Sequence, residues 1–462
     1  MIILIAIYTY QCFTVFGYED EASKQGIFRS QNRFMIMIHT LAFLGMHLQT
    51  GRMELLFLYT AQIIMLLMTV VLYRKLYPKA SRLIVNNVCM LLSSGFIMIT
   101  RLNYNKGMKQ SIIVAAAVAI SLCVPVIIRK VKKIEELRVV YAAVGLVALA
   151  AVVVIGQVSG GAKLGFEIAG FGIQPSEFVK ILFVFFVASS LNKATEFRDI
   201  VITTVVAAFH VLILVISKDL GAALIIFVVY LVMLYVATRK PMYTVAGIVA
   251  GSAAAVAAYH LFSHVRVRVQ IWQDPFASYH QGGYQVAQSL FAIGTGGWFG
   301  TGLLKGMANA IPVADEDFVF SAIAEEMGLI YALCLILICL SCYVMFLNIA
   351  MRLHNRFYKL VALGLGTCYI FQTFINVGGV TKFIPLTGVT LPLVSYGGSS
   401  VLSTLIMFAI IQGLYILRED EAEDIERKKR QKLQEKRIRH QNHKYRTNTR
   451  SKKTGTQKGN EQ

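Results

Sequence analysis

The stretch from His264-Val265-Arg266-Val267-Arg268 to Ala314-Asp315-Glu316-Asp317 interrupts an otherwise apolar chain. Its densest part reads Gln273-Asp274-Pro275, then Gly282-Gly283-Tyr284-Gln285, and runs on to Gly302. Phe318-Val319-Phe320 follow at once and open a hydrophobic run. A segment rich in Arg, Asp, Gln and Gly between apolar runs gains nothing from lipid, so it faces water or lines a cavity. The flanking runs are about 20 residues long, the length that carries an α-helix across a bilayer, and that contrast decides the fold.

Composition agrees. Of 462 residues, 56% are hydrophobic and 15% charged, with a mean hydropathy of +0.62, well outside the balance of soluble domains. Barrel strands would alternate polar and apolar residues. With unbroken apolar runs and only eight prolines, the reading is an all-α polytopic membrane protein. Spans are expected near residues 1–16, 34–48, 55–73, 85–99, 112–128, 139–155, 178–191, 200–217, 220–237, 243–262, 318–347, 360–377 and 401–417, about thirteen transmembrane helices. The first span lacks a basic leader and a small-residue cleavage site, which argues against a cleaved signal peptide. The seven cysteines lie in apolar stretches and read as helix-packing residues rather than a disulfide framework.

The net charge of +20 gathers in short loops and in the tail after Leu417. Such a pattern reports membrane orientation and contact with anionic membrane lipids; no nucleic acid partner is expected. Arg74, Lys75, Lys79 and Arg82 mark a cytoplasmic loop, and alternation places Arg129, Lys130, Lys193, Arg198, Arg239, Lys240, Arg352, Arg356, Lys359 and the tail on that same side. The N-terminus is then outside and the C-terminus cytoplasmic. Segments 159–177, 264–317 and 380–396 share the extracytoplasmic side. The tail, residues 418–462, starts acidic and turns basic at Arg427; it is expected to begin as a helix held by acid-to-base pairs and then to become disordered.

Ionisable residues near a membrane interior are costly enough to mark function. Glu177 and Lys180, three apart behind Pro175, share one face at a helix start; they are either a cap with a neutralising ion pair or the border of a site. Asp219, followed by Gly221, sits where two spans meet and reads as a turn and cap. Arg266 and Arg268 either snorkel to headgroups or clamp phosphate, for which the guanidinium fork is well shaped. Asp315, Glu316 and Asp317 form a cluster of the kind in which like charges and burial favour the protonated form of a carboxyl. One of them is then a candidate general base, or the group is a candidate oxygen cage for a divalent cation, Mg or Mn. Glu325 and Glu326 lie within the following span, and at least one must face a polar interior. The run Gly294-Thr295-Gly296-Gly297, with Gly300 and Gly302, lacks the Lys-Ser/Thr ending of a phosphate loop and reads as a re-entrant loop or amphipathic turn. Gln285, Gln288 and Ser289 offer donors and acceptors suited to a sugar or amide.

Taken in order, Gln174-Pro175-Ser176-Glu177 with Lys180, Asp219-Leu220-Gly221, Arg266-x-Arg268 with Asp274-Pro275, Gly283-Tyr284-Gln285 with Gln288-Ser289, Asp317-Phe318, Glu325-Glu326 with Gly328, and Pro392-Leu393-Val394-Ser395-Tyr396-Gly397-Gly398-Ser399 resemble the SEDS family of cell-wall proteins, the RodA, FtsW and SpoVE group. The resemblance covers roughly Val85 to Leu417. It implies a core of about ten membrane helices over residues 85–417, an added three-helix segment over residues 1–84, and polymerisation of lipid II into peptidoglycan strands beside a class B penicillin-binding protein transpeptidase. It makes Asp317 the catalytic residue, with Arg266, Arg268, Gln285, Gln288, Ser289, Glu177 and Lys180 toward substrate. Asp219, Glu325, Glu326, Ser395, Gly397 and Gly398 fall to supporting roles. Glu316 stands where the family has threonine, and Ser217-Lys218 where it has Gln-Pro. A lipid II flippase and a non-catalytic scaffold for a penicillin-binding protein are the alternative functions; division, elongation and sporulation roles are all open.

Overall fold

The computed structural model describes residues 1–131, 133–159, 162–168, 171–194 and 196–457. In chain order the helices are α1 (Ile2–Thr14), α2 (Glu21–Thr50), α3 (Glu54–Leu76), α4 (Arg82–Leu102), α5 (Tyr104–Ser121), α6 (Val124–Lys130) and α7 (Arg138–Ile155). Strands β1 (Gln157–Ser159), β2 (Ala162–Ile168) and β3 (Phe171–Ile173) follow. Then come α8 (Pro175–Lys193), α9 (Phe197–Ile216), α10 (Leu220–Thr238), α11 (Pro241–Leu261), α12 (Ser263–Gln273), α13 (Gly283–Gly296), α14 (Val319–Met327), α15 (Leu329–Arg352), α16 (Arg356–Val380) and α17 (Gly398–Gln457). Among the described residues, eleven helices are long and apolar enough to cross a membrane. The shorter apolar Ile2–Gly17 and the more polar α2 run beside them, completing a bundle of the expected size. This is a multi-pass helical membrane protein.

The bundle is layered by burial. The apolar window of α4 is 100% buried and that of α11 0%, so α4 is the axis around which others pack while α11 lies at the periphery. The three N-terminal helices are tied to α4 and α5 by polar pairs within the bundle. Tyr8 Oη donates to Asn87 Oδ1 at 3.0 Å, Asn86 Nδ2 to Gln31 Oε1 at 3.0 Å, and Gln62 Nε2 to Ser111 Oγ at 2.9 Å. His39 Nδ1 meets Ser93 Oγ at 3.0 Å. With no water in the hydrocarbon to satisfy these groups otherwise, such bonds select which helix faces meet.

Two expectations are corrected. The span read as 318–347 is two helices, broken at Gly328 (φ 90°, ψ 160°), a backbone region open essentially to glycine alone. The break is stabilised because a neighbouring loop supplies partners for the exposed backbone: Thr301 N donates to Glu325 O, Gly302 N to Glu326 O, and Leu329 N to Gly297 O. Of the glycine run, Gly294 and Gly296 end α13, while Gly297, Gly300 and Gly302 belong to a loop docked against the break. The tail does not fall into disorder early, since α17 continues through Gln457. Its Glu426–Arg430 pair at 2.5 Å and Asp424–Arg427 pair at 3.8 Å supply the expected i,i+4 and i,i+3 support. Where α17 leaves the bundle, Lys79 Nζ lies 2.7 Å from both Asp420 and Glu423, and Arg129 Nη2 lies 2.9 Å from Asp420.

The three strands form an antiparallel sheet in the order β1-β2-β3, paired Val158 with Lys163 and Glu167 with Gly172. This small sheet was not foreseen. It belongs to one face of the bundle, together with α12, α13, the loop 297–318 and the loop 381–397. The basic loops lie at the opposite ends of the same helices.

Candidate functional site

Asp317 stands just before α14, partly accessible in a polar recess defined by Asn376, Arg268 and the loop 386–390. Its backbone carbonyl accepts from Asn376 Nδ2 of α16 at 2.8 Å, and the same amide donates to Val389 O at 2.6 Å. One side chain thus fixes Asp317 against the loop 386–390. Gly388 has φ +74°, and a Cβ built there would lie 3.4 Å from Asp317 Oδ2. The bare backbone at that point leaves one side of the carboxylate open.

Arg268 of α12 reaches the same place. Its Nη1 donates to Leu386 O at 3.2 Å and to Thr387 O at 2.8 Å, and its charge interacts with both Asp219 and Asp317. Burial pushes the Asp317 carboxyl up to about 6, Glu316 and Asp315 push it the same way, and Arg268 opposes them. Burial together with Lys218 and Arg268 holds His264 below the usual imidazole range, so the two cations stand close to a neutral imidazole. Lys218 adopts φ 65°, a value closed to proline, so the turn here cannot be the one that Gln-Pro would make.

Asp219 caps α10, accepting from Ala222 N at 3.1 Å, and also accepts from Ser176 Oγ at 2.8 Å and Gln174 Nε2 at 3.3 Å. Gly221 lets the start of α10 approach the loop, because a Cβ there would lie 2.1 Å from Val389 Cγ2. Glu177 and Lys180 pair at 3.0 Å deeper in the bundle. Lys180 Nζ also donates to Gln372 Oε1 at 2.7 Å, and Ser403 Oγ to Glu177 Oε2 at 2.9 Å. Gln372 Nε2 in turn donates to Thr390 O at 3.2 Å, so this buried network joins α8, α16 and α17 to the floor of the recess.

Acidic residues on either side of Asp317 have cationic partners. Lys106 Nζ of α5 lies 2.5 Å from Asp315 Oδ2 and 3.1 Å from Glu316 Oε1. Glu326 is fully buried against Arg101 of α4, Nη2 to Oε1 at 2.5 Å. The amides of Leu304 and Met307 donate to Glu326 Oε2 at 3.0 Å and Glu325 Oε1 at 2.9 Å. Both glutamates therefore clamp the docked loop. Among the described residues no group of three His, Cys, Asp or Glu is arranged to hold a metal ion.

The remaining candidates divide. Ser289 is fully buried, sharing its hydroxyl with Ser321 Oγ at 2.7 Å and Val380 O at 2.8 Å; it ties α13 to α14 and α16. Gln285 and Gln288 are half-buried on α13, with Gln288 Nε2 3.5 Å from Tyr279 Oη. Arg266 turns away, donating to His260 O at 2.9 Å and stacking 5.9 Å above Tyr259. Ser395 Oγ accepts from Leu391 N at 2.9 Å and closes the loop that leads through Gly397 into α17 at Gly398. Sequence reasoning missed Asn376, Gly388, Arg101 and Lys106. Arg101 and Lys106, basic residues at a span end on the face that is otherwise acidic, were the available signal.

A multi-pass helical bundle with a polar recess at one face, built from a broken helix and docked loops around one accessible carboxylate, defines the class. A model of the cell cycle proteins FtsW, RodA and SpoVE matches residues 74–419, and the chain belongs to that family. A peptidoglycan glycosyltransferase RodA of Mycobacterium leprae is 35% identical over 364 residues, spanning 73% of this chain and 78% of the relative. A probable peptidoglycan glycosyltransferase FtsW of Aliivibrio salmonicida is 36% identical over 279 residues, 56% and 67% of the two chains. Among solved structures, one described as a peptidoglycan synthase complex coordinating polymerization and crosslinking aligns with TM-score 0.63 at 23% identity, covering 73% of this chain and 98% of that chain. The rod shape determining protein RodA of Thermus thermophilus aligns with TM-score 0.54 at 22% identity, covering 73% and 96%. These likenesses are of fold, and the family match leaves α1, α2 and most of α3 outside it.

Proposed function

We propose that this chain is a peptidoglycan glycosyltransferase that polymerises lipid II, with Asp317 as the general base. The observation that carries the reading is the Asp317 carboxylate: partly accessible, pushed up to about 6, and interacting with the half-buried Arg268. A base of that strength is largely ionised at neutral pH yet able to take a proton, which is where general-base catalysis works best.

In the reaction, the 4-hydroxyl oxygen of the acceptor sugar attacks C1 of the donor and its proton passes to Asp317. The bond from C1 to the pyrophosphate oxygen breaks, lipid pyrophosphate leaves, and the anomeric centre inverts. Arg268, with Lys218 nearby, offsets the charge that grows on the leaving group. Gln285 and Gln288 are assigned to the sugars, and the Glu177–Lys180 network to holding the floor. The basic loops orient the recess toward the extracytoplasmic side, with the N-terminus outside and the C-terminus cytoplasmic. The names of the relatives and the likeness to a peptidoglycan synthase complex support a class B penicillin-binding protein as partner.

Purified full-length chain given labelled lipid II tests this, beside a flipping assay in liposomes. Glycan strands from the native chain are expected, and Asp317→Ala should lower the rate by about 10² to 10⁴ while the protein still purifies folded. Flipping without polymerisation, or full polymerisation by Asp317→Ala, would overturn the assignment.

A further inference from the structure

We propose that Lys106 is a positioning residue for glycosyl transfer: it fastens the acidic turn 315–317 to the loop 391–397, and so sets how the Asp317 carboxylate is presented to the recess. This rests on Asp317 being the base.

Three elements converge on the one ammonium. Lys106 Nζ contacts Asp315 Oδ2 at 2.5 Å and Glu316 Oε1 at 3.1 Å, and it sits 5.0 Å above the Tyr396 ring. The backbone closes the same triangle, since Tyr396 N donates to Asp315 O at 2.8 Å. One turn further along α5, Gln110 bonds both sides of the loop, donating to Ser395 O at 3.3 Å and accepting from Gly397 N at 3.4 Å. Lys106 is itself held in place, because Asn103 Oδ1 caps its backbone N–H at 3.1 Å.

Three consecutive acids repel one another, and without a cation the turn would relax outward. The groups facing Asp317 define what Lys106 adds. From its own turn come Asp315 and Glu316, and from α12 comes Arg268. Asp219 at the start of α10 acts on Arg268, and Tyr396 lies in the loop across from the two acids. From α16 the partner is the uncharged Asn376. Arg268 acts on Asp317 directly, whereas Lys106 is the cation in contact with Asp315 and Glu316. An ammonium near both acids weakens their hold on the Asp317 proton and keeps the turn in place.

The test compares full-length native chain, Lys106→Met, Lys106→Arg and Lys106→Met/Glu316→Gln, following initial rates on labelled lipid II across pH with KM and kcat separated. Lys106→Met should move the acidic limb of the kcat profile up by about one pH unit with KM little changed. Lys106→Arg should stay near native, and adding Glu316→Gln to Lys106→Met should bring the limb part of the way back. A limb unmoved in folded Lys106→Met overturns the proposal, as does a rate lowered equally at every pH and not restored by Glu316→Gln. If native chain makes no glycan, or Asp317→Asn polymerises as fast as native, the reading of the site fails and the proposal with it. An Asp317-dependent limb indifferent to Lys106 refutes the proposal alone.

Discussion

Replacing Asp317 by Asn tests the site through two observables that must move in opposite directions. Asn keeps the shape and removes the charge. The carboxyl rises from 3.8 when exposed to about 6 in the fold, so it binds its proton more tightly folded than unfolded. The sign follows from linkage: the fold carries no cost below about pH 4, a growing cost as pH rises toward 6, and the full cost above it. At about 1.36 kcal/mol per pH unit, ionised Asp317 costs the fold at most about 3 kcal/mol at neutral pH. Asp317→Asn should therefore melt higher than native at pH 7, and the two should converge near pH 4 in the same detergent. Catalysis runs the other way. Native rate should fall about tenfold between pH 7 and pH 5 as the base form drops from about nine-tenths to about one-tenth, while Asp317→Asn should be slow and flat with pH. Thermal unfolding by intrinsic fluorescence and polymerisation of labelled lipid II supply the two readouts. An Asn variant that is less stable at pH 7 would refute the burial argument; one that keeps a native acidic limb would refute the role as base.

Other outcomes follow from the packing. Glu326→Gln strands buried Arg101, and breaking such a pair typically costs about 3–5 kcal/mol; a large drop in unfolding midpoint with greater proteolysis of the loop 298–307 is expected. Gly328→Ala introduces a Cβ 2.5 Å from Phe299 C and 2.6 Å from Gly300 N at a positive φ, so the variant should lose the docked loop and polymerise poorly, which limited proteolysis and rate measurements check together. Asn87→Leu removes the acceptor for Tyr8 and Cys12 and should loosen α1 by about 1–3 kcal/mol, seen as faster hydrogen exchange over Ile2–Thr14 with little change in the recess.

The amino-acid sequence by itself determined the class of fold and the division between apolar helices and polar segments; it marked Asp315, Glu316 and Asp317 as one candidate group, within which the family resemblance selected Asp317. Bilayer thickness makes a run of about 20 apolar residues nearly synonymous with a spanning helix, and acids bordering such runs are too costly to be incidental. Asp317, Arg268 and Asp219 could be picked out one by one for that reason, and so could the Glu177–Lys180 pair, whose spacing is a property of a single helix. Tertiary structure decided what spacing along one helix does not encode. It broke the expected span at Gly328, because a loop some thirty residues earlier supplies the missing backbone partners. It separated Arg268 from Arg266, two residues apart, by giving one the carbonyls of the loop 386–387 and the other the C-terminal end of the preceding helix, α11. It buried Ser289, which helical spacing alone had grouped with Gln285 and Gln288. Above all it brought Lys106, two hundred residues away in the chain, onto the acids beside Asp317, a meeting that depends on how α5 lies against the loops of one face and on nothing local to either segment.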